Sequence, residues 1–144
     1  MLYDDLRKEK EAGKKLVTEH GACRFCGQME ALEVPPEWTE KEVDELATET
    51  CECAAASYYS SRKSRKERAH MRIEELFGQG DTQTGAVSEG AVELLHLAVD
   101  KAGDEQVLSV TVDAGDGIKA SIKLTNKDTI KVTRTATANR TYEV

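Results

Sequence analysis

Hydrophobic residues follow two different spacings in the second half of the chain. Apolar side chains from Val87 to Ala102 recur at near-helical intervals, whereas residues 108–112, 118–124 and 130–132 alternate between apolar and polar positions. Short turn sequences rich in Gly, Asp and Asn separate the alternating segments. The pattern predicts one helix followed by a three-stranded antiparallel meander, with the helix covering the apolar face of the sheet.

The first half of the chain has mainly helical spacing. Residues 1–20 carry an incomplete apolar stripe, which predicts a helix ending near Gly21. Thr39 followed three residues later by Glu42 has the form of a capping box, which predicts a second helix. The alanines from Ala54 favour a third helix, running as far as Phe77.

These patterns predict an α+β protein with two modules. Residues 1–77 form a helical module, residues 78–86 are a linker rich in glycine and small polar residues, and residues 87–144 form the α-β-β-β module.

The charge and hydropathy of the chain argue against some classes of binding partner. The net charge of −7 and the charged fraction of 33% argue against general attraction to nucleic acid or anionic lipid, so any such contact must be local. No apolar run approaches the roughly 20 residues that span a bilayer, and the first residues are acidic where a signal peptide is basic and then apolar. We therefore expect a cytoplasmic protein without membrane contact, whose four cysteines serve metal binding or redox chemistry rather than disulfides.

The cysteines occur as two close pairs. Cys23 and Cys26 form a Cys-x-x-Cys knuckle followed by Gly27, and Cys51 and Cys53 form the less usual Cys-x-Cys pair at a helix start. Four thiolates suit one tetrahedral Zn²⁺ and leave no open position for substrate, so the predicted site is structural. The Cys-x-Cys spacing of the second pair argues against a rubredoxin-type iron site, which resembles two repeated Cys-x-x-Cys-Gly knuckles.

Other interpretations of the cysteines stay open at this stage. Four small buried cysteines can simply pack, and Cys23 with Cys26 can be a redox pair, although no β-α-β pattern surrounds them. His20 is an alternative metal ligand that could take the place of one cysteine. The neighbouring aromatic residues are predicted to form a small core around the metal; they are Phe25, Trp38, Tyr58 and Tyr59.

The segment Cys23-Arg24-Phe25-Cys26-Gly27-Gln28, with the later Cys51-Glu52-Cys53, resembles small four-cysteine proteins encoded by bacterial prophages and integrative elements. The likeness covers residues 20–60. It implies zinc binding in a bacterial or phage cytoplasmic setting and assigns no catalytic residue.

One basic cluster occurs after the cysteines. On a helix Arg62, Arg65, Lys66 and Arg72 lie near one face and are candidates for contacting nucleic-acid phosphates. The competing interpretation is a solvent-exposed helix surface, which the acidity of the chain and its few aromatic residues favour.

The sequence contains no recognised catalytic motif. His70 and His96 are isolated in sequence, and no pair of acids suggests a general acid and base. We therefore expect a non-enzymatic zinc-binding protein, zinc finger-like in its ligands, that supports protein interaction. The alternative is a nucleic-acid-binding regulator that uses the basic helix over residues 62–72.

Overall fold

The computed structural model describes residues 1–78 and 87–136, and the chain forms two compact units, Met1–Ser64 and Arg65–Val144. In chain order the elements are α1 Leu2–Glu11, β1 Val17–Ala22, β2 Met29–Val34, α2 Glu40–Thr50, α3 Ala54–Ile73 with a π-helical turn at Glu74–Gly78, α4 Glu89–Gly103, β3 Ser109–Gly115, β4 Ile118–Leu124 and β5 Ile130–Ala136. The predicted α+β class is confirmed.

The first unit contains a β-hairpin that the sequence analysis did not predict. The expected helix over residues 1–20 is wrong beyond Glu11, because Gly13 turns the chain with φ 74° and Val17–Ala22 forms β1. β1 pairs antiparallel with β2, from Val17 opposite Val34 to Ala22 opposite Met29. The hairpin loop is therefore the segment that carries the first cysteine pair.

Helix α2 packs against β1 and completes a small core. The predicted capping box is confirmed: the Thr39 hydroxyl accepts from the Glu42 amide, and the Glu42 carboxylate accepts from the Thr39 amide. The buried cluster of this unit consists of few side chains, which are Leu6, Val34, Val43 and Leu46. So small an apolar core makes a metal cross-link valuable to the stability of the unit.

The second unit has the predicted helix and meander. Its sheet order is β3-β4-β5 with both pairs antiparallel, and the first turn has left-handed backbone at Gly115, Asp116 and Gly117. α4 contributes Leu95 and Val99, among others, to the same buried cluster as the inward residues of β4. The prediction that this helix covers the apolar face of the meander is therefore confirmed.

The two units meet in sequence inside α3, between Ser64 and Arg65. The end of α3 and the π-helical turn after it belong to the second unit because Ala69, Ile73 and Phe77 are buried in its core. The predicted linker at 78–86 lies outside the described residues except for Gly78, as do the last eight residues of the predicted C-terminal module. Within the described ranges, no helix is long and apolar enough to cross a membrane.

Candidate metal centre

The four cysteines, which are distant in sequence, come together in the first unit. Their Sγ atoms all lie within 4.8 Å of one another; Cys23 and Cys53 are 3.9 Å apart, and Cys26 and Cys51 are 3.5 Å apart. All four are free thiols. Sulfurs bound to one tetrahedral ion at about 2.3 Å lie roughly 3.8 Å from each other, so the quartet matches the size of a four-thiolate metal site.

The first pair lies in the loop between β1 and β2. The loop closes through two backbone hydrogen bonds, from the Cys23 amide to the Gln28 carbonyl at 3.0 Å and from the Gly27 amide to the Cys23 carbonyl at 2.9 Å. Gly27 has φ 74°, a conformation that a residue with a side chain adopts only with strain. This tight turn brings the sulfurs of Cys23 and Cys26 to the same side.

The second pair lies where α2 ends and α3 begins. Cys51 is the C-cap of α2 and has extended backbone, and Cys53 directly precedes α3, whose Ser57 amide donates to the Cys53 carbonyl at 2.9 Å. The abrupt change of direction between the helices lets a one-residue spacer present both sulfurs to the hairpin loop.

Hydrogen bonds fix the hairpin loop to α2. The Ala22 amide donates to Asp44 Oδ1 at 2.9 Å, and the Arg24 amide donates to Thr48 Oγ1 at 3.1 Å. Thr48 is completely buried, and its hydroxyl donates in turn to the Asp44 carbonyl at 2.8 Å. These bonds flank Cys23 on both sides, so α2 holds its sulfur in place.

Charged side chains connect the same loop to both helices. Arg24 pairs with Glu45, and Lys63 of α3 contacts Glu45 at 2.8 Å and Glu49 at 2.7 Å. Burial raises the pKa of Glu45, but the hydrogen bonds from Lys63 and Tyr59 and the two nearby cations outweigh burial and lower it. The carboxylate is therefore held in its ionised form.

The pKa values of two of the cysteine thiols are shifted in opposite directions by their surroundings. Burial disfavours the Cys23 thiolate, but hydrogen bonds from the Cys26 and Phe25 amides outweigh burial and lower the pKa of Cys23 to about 7. The Cys53 amide favours the Cys51 thiolate, but neighbouring sulfurs and burial raise the pKa of Cys51 to about 12. Four thiolates this close repel one another, and a bound cation removes that repulsion.

The expected aromatic core around the site is only partly present. The ring of Tyr59 packs against Phe25, with centroids 5.6 Å apart, but Phe25 is 46% exposed and Tyr58 is 51% exposed. Trp38 packs instead against the small apolar core of the unit. The prediction is therefore wrong for Phe25 and Tyr58, which are exposed, and for Trp38, which packs on that apolar core. The hydrogen-bonded loop, not ring burial, positions the cysteines.

The basic helix side chains are largely engaged within the protein. Arg65 is buried and donates to the Gly103 carbonyl at 2.6 Å, and Lys66 pairs with Asp104 at 2.8 Å. Arg72 pairs with Glu75 at 3.0 Å, and the Arg62 guanidinium lies over the Tyr58 ring at 5.0 Å. That these side chains contact nucleic acid stays a prediction.

The structure also brings together two histidines that the sequence analysis treated as isolated. In the second unit His70 Nδ1 lies 2.6 Å from His96 Nδ1, and each ring contacts a carboxylate. A feature of the sequence that could have pointed to this pair is a carboxylate four residues after each histidine. Glu74 follows His70, and Asp100 follows His96. His20, the third histidine, is an exposed residue of β1 and is not part of the cysteine cluster.

Comparison of the chain with protein-family models, with curated proteins and with solved structures found no match. The function is therefore inferred from the geometry of the chain itself.

Proposed function

We propose that Cys23, Cys26, Cys51 and Cys53 bind one Zn²⁺ ion whose role is structural. The observation that carries this proposal is the convergence of four sulfurs within 4.8 Å of one another, two pairs of which are 3.9 Å and 3.5 Å apart. Thiolates suit Zn²⁺ among the common metal ions, and four protein ligands complete its preferred coordination. The ion links the β1–β2 loop to the junction between α2 and α3, which the small apolar core holds together only weakly.

A closed coordination sphere also supports a non-enzymatic function. Catalytic zinc needs a position for water or substrate, and the four thiolates leave none. We propose that the zinc-bound unit serves as a protein-interaction module in the reducing cytoplasm, where four thiols stay free for metal. The resemblance to four-cysteine proteins of prophages and integrative elements is part of this proposal.

Cobalt substitution tests the closed site directly. Protein reconstituted with one equivalent of Co²⁺ should show thiolate-to-cobalt charge transfer and a tetrahedral visible spectrum. Added azide should leave this spectrum unchanged, because no position is open to it. A spectrum that shifts with azide would contradict the structural role and favour catalysis.

The nucleic-acid alternative makes a different prediction. Phosphate binding by the basic helix requires an affinity for DNA or RNA that falls steeply with salt. We expect no measurable binding to a mixed-sequence DNA duplex or to single-stranded RNA at physiological salt, because the partners of Arg65 and Lys66 are already within the protein. Lys10→Gln, at an exposed position of α1, is the control. Salt-sensitive binding that is lost in Arg62→Gln but kept in Lys10→Gln would favour a nucleic-acid-binding regulator instead.

A further inference from the structure

A groove separates α3 from the start of β5 in the second unit, and its volume is about 350 Å³. Arg65, Arg68 and Arg72 of α3 lie along one side, and Ile130 and Val132 of β5 lie along the other. No acidic side chain lines this α3–β5 groove among the residues that the structure describes. The groove therefore places a cationic surface next to an apolar one.

The positive charge of the groove comes from the helical spacing of its three arginines. They follow one another after three and then four residues, so they lie on the same face of α3. The chain as a whole has a net charge of −7, so this concentration of guanidinium groups is a local exception. An anion bound among them reduces their mutual repulsion.

Arg65 is buried, with only 3% of the residue exposed. Its Nη2 donates to the Gly103 carbonyl at 2.6 Å, but its buried Nε has no hydrogen-bond partner within the described residues. A buried donor that is left unpaired is unfavourable because it has lost its contact with water. An acceptor oxygen bound in the groove would satisfy this donor.

The other two arginines have donors for a ligand. Arg68 is exposed, and it makes no hydrogen bond or ion pair with any residue in 1–78 or 87–136. Arg72 pairs with Glu75 at 3.0 Å, but both side chains are more than half exposed, and such pairs add little stability. Both guanidinium groups can therefore bind an incoming anion.

The opposite side of the groove is aliphatic and firmly held. Ile130 and Val132 are partly buried and pack against the core of the second unit. Ala69, which also lines the groove, is buried in that core. A ligand that fills the groove therefore carries an apolar group beside its anion.

An acidic peptide fits this groove better than nucleic acid does. Single-stranded nucleic acid binds proteins by stacking its bases on aromatic rings, and no aromatic side chain lines the groove among the described residues. The acidity of the chain also repels a polyanion. A carboxylate next to an aliphatic side chain matches both sides of the groove.

We propose that the α3–β5 groove binds an acidic segment of a partner protein. Carboxylates of the segment pair with Arg68 and Arg72 and accept from the Nε of Arg65, because the planar guanidinium group pairs well with a carboxylate. An aliphatic side chain of the segment packs on Ile130 and Val132. Arginine clusters recognise acidic motifs in this way. The site goes beyond the role proposed for the zinc-bound unit, because every residue that lines it belongs to the second unit.

Fluorescence anisotropy of the full chain with a labelled peptide tests this proposal. The peptide is short and blocked at both ends, and glutamates flank its central leucine. Wild type should bind it, and replacing the glutamates by glutamine should weaken binding about tenfold or more, because charge-assisted hydrogen bonds are lost. Replacing the leucine by serine should also weaken binding, because the aliphatic side of the groove then stays uncovered.

Matched charge variants locate the binding. Arg68→Gln should weaken binding about tenfold or more and keep native circular dichroism, because Arg68 makes no hydrogen bond or ion pair with the described residues. Lys123→Gln removes the same charge from an exposed position of β4 outside the groove and should bind like wild type. The NMR resonance of the Arg65 Nε–H group should shift when the peptide is added, whereas general charge attraction would leave it in place.

The proposal is overturned if the peptide does not bind, if Arg68→Gln and Lys123→Gln weaken it equally, or if the Arg65 Nε–H resonance does not move. It is also overturned if single-stranded RNA binds wild type more tightly than the peptide and loses this binding in Arg68→Gln, which would assign the groove to nucleic acid. Zinc content is measured on the same protein. A zinc-loaded chain that does not bind the peptide refutes the groove alone, and a folded metal-free chain that binds it refutes the four-cysteine site alone.

Discussion

Gly21 lies on β1 two residues before Cys23, where the strand passes close to α2. A Cβ built at this position would lie 2.6 Å from the Val43 carbonyl oxygen and 3.1 Å from the Ala47 Cβ. The nearest atom belongs to helix backbone, which cannot rotate away as a long side chain can. Gly21→Ala must therefore push β1 off α2, and the knuckle that follows Gly21 moves with it.

The expected cost follows from this overlap. Overpacking a tightly packed position costs about 1–3 kcal/mol, partly offset by about 0.5–1 kcal/mol because alanine loses less backbone entropy on folding than glycine. We expect the first unit to lose about 1.3 kcal/mol of unfolding free energy. Because metal binding and folding are coupled, the apparent zinc affinity should weaken by roughly tenfold.

Urea unfolding in zinc-containing buffer measures this change through Trp38, the single tryptophan, which packs on the core of the first unit. Competition with a zinc chelator measures the affinity. Gly90→Ala in α4 is the matched control, because nothing lies within 4 Å of its added Cβ, and it should be neutral or slightly stabilising. A Gly21→Ala loss below about 0.5 kcal/mol would refute the close packing of β1 on α2.

Three further substitutions test contacts made by charged side chains. Glu49→Gln should cost about 2–3 kcal/mol in urea unfolding, because its fully buried carboxylate pairs with Lys63. Burial lowers the pKa of Lys63, but its hydrogen bonds to Glu45 and Glu49 raise it more. The stability that the charged side chain adds is therefore complete below pH 10.5 and is lost progressively as the pH rises from there through the higher pKa of the folded state, so the wild-type advantage over Lys63→Met should shrink over that range. Arg65→Met should cost about 1–3 kcal/mol, seen as faster amide exchange in α4, because the Gly103 carbonyl loses its charged donor.

Each of these predictions has a contrary result. Glu33→Gln on the exposed surface of β2 should change stability by less than about 0.5 kcal/mol, and an equal effect at Glu49 would show that its carboxylate contributes nothing specific. A Lys63→Met difference that is constant to high pH would contradict the raised pKa. Unchanged α4 exchange in Arg65→Met would mean that the buried guanidinium does not stabilise the helix end.

Local patterns predicted the second unit well. Alternation of apolar residues identified β3, β4 and β5, and near-helical spacing identified α4, because each element buries one face against the other. Thr39 and Glu42 identified the start of α2. Their side chains accept hydrogen bonds from backbone amides that are free at the helix start, and this contact both stabilises the helix and marks where it begins. The close cysteine pairs identified which residues converge.

Long-range contacts explain what local patterns did not predict. β1 has few buried positions, so no alternation marks it, and its strand conformation depends on pairing with β2. Arg65 looked like one more surface cation, and only the fold shows that it reaches the Gly103 carbonyl. His70 and His96 are 26 residues apart and meet only because α3 and α4 pack together.

The decisive measurement of the four-cysteine zinc site is the metal content of protein purified without added metal. It is measured by elemental mass spectrometry for wild type, Cys23→Ser and Cys53→Ser. The two variants remove sulfurs that lie 3.9 Å apart and belong to different cysteine pairs. The wild-type chain should hold one zinc ion tightly, and both variants should lose it together with native Trp38 fluorescence. Wild-type protein that is free of tightly held metal and still folded would contradict the proposed zinc site.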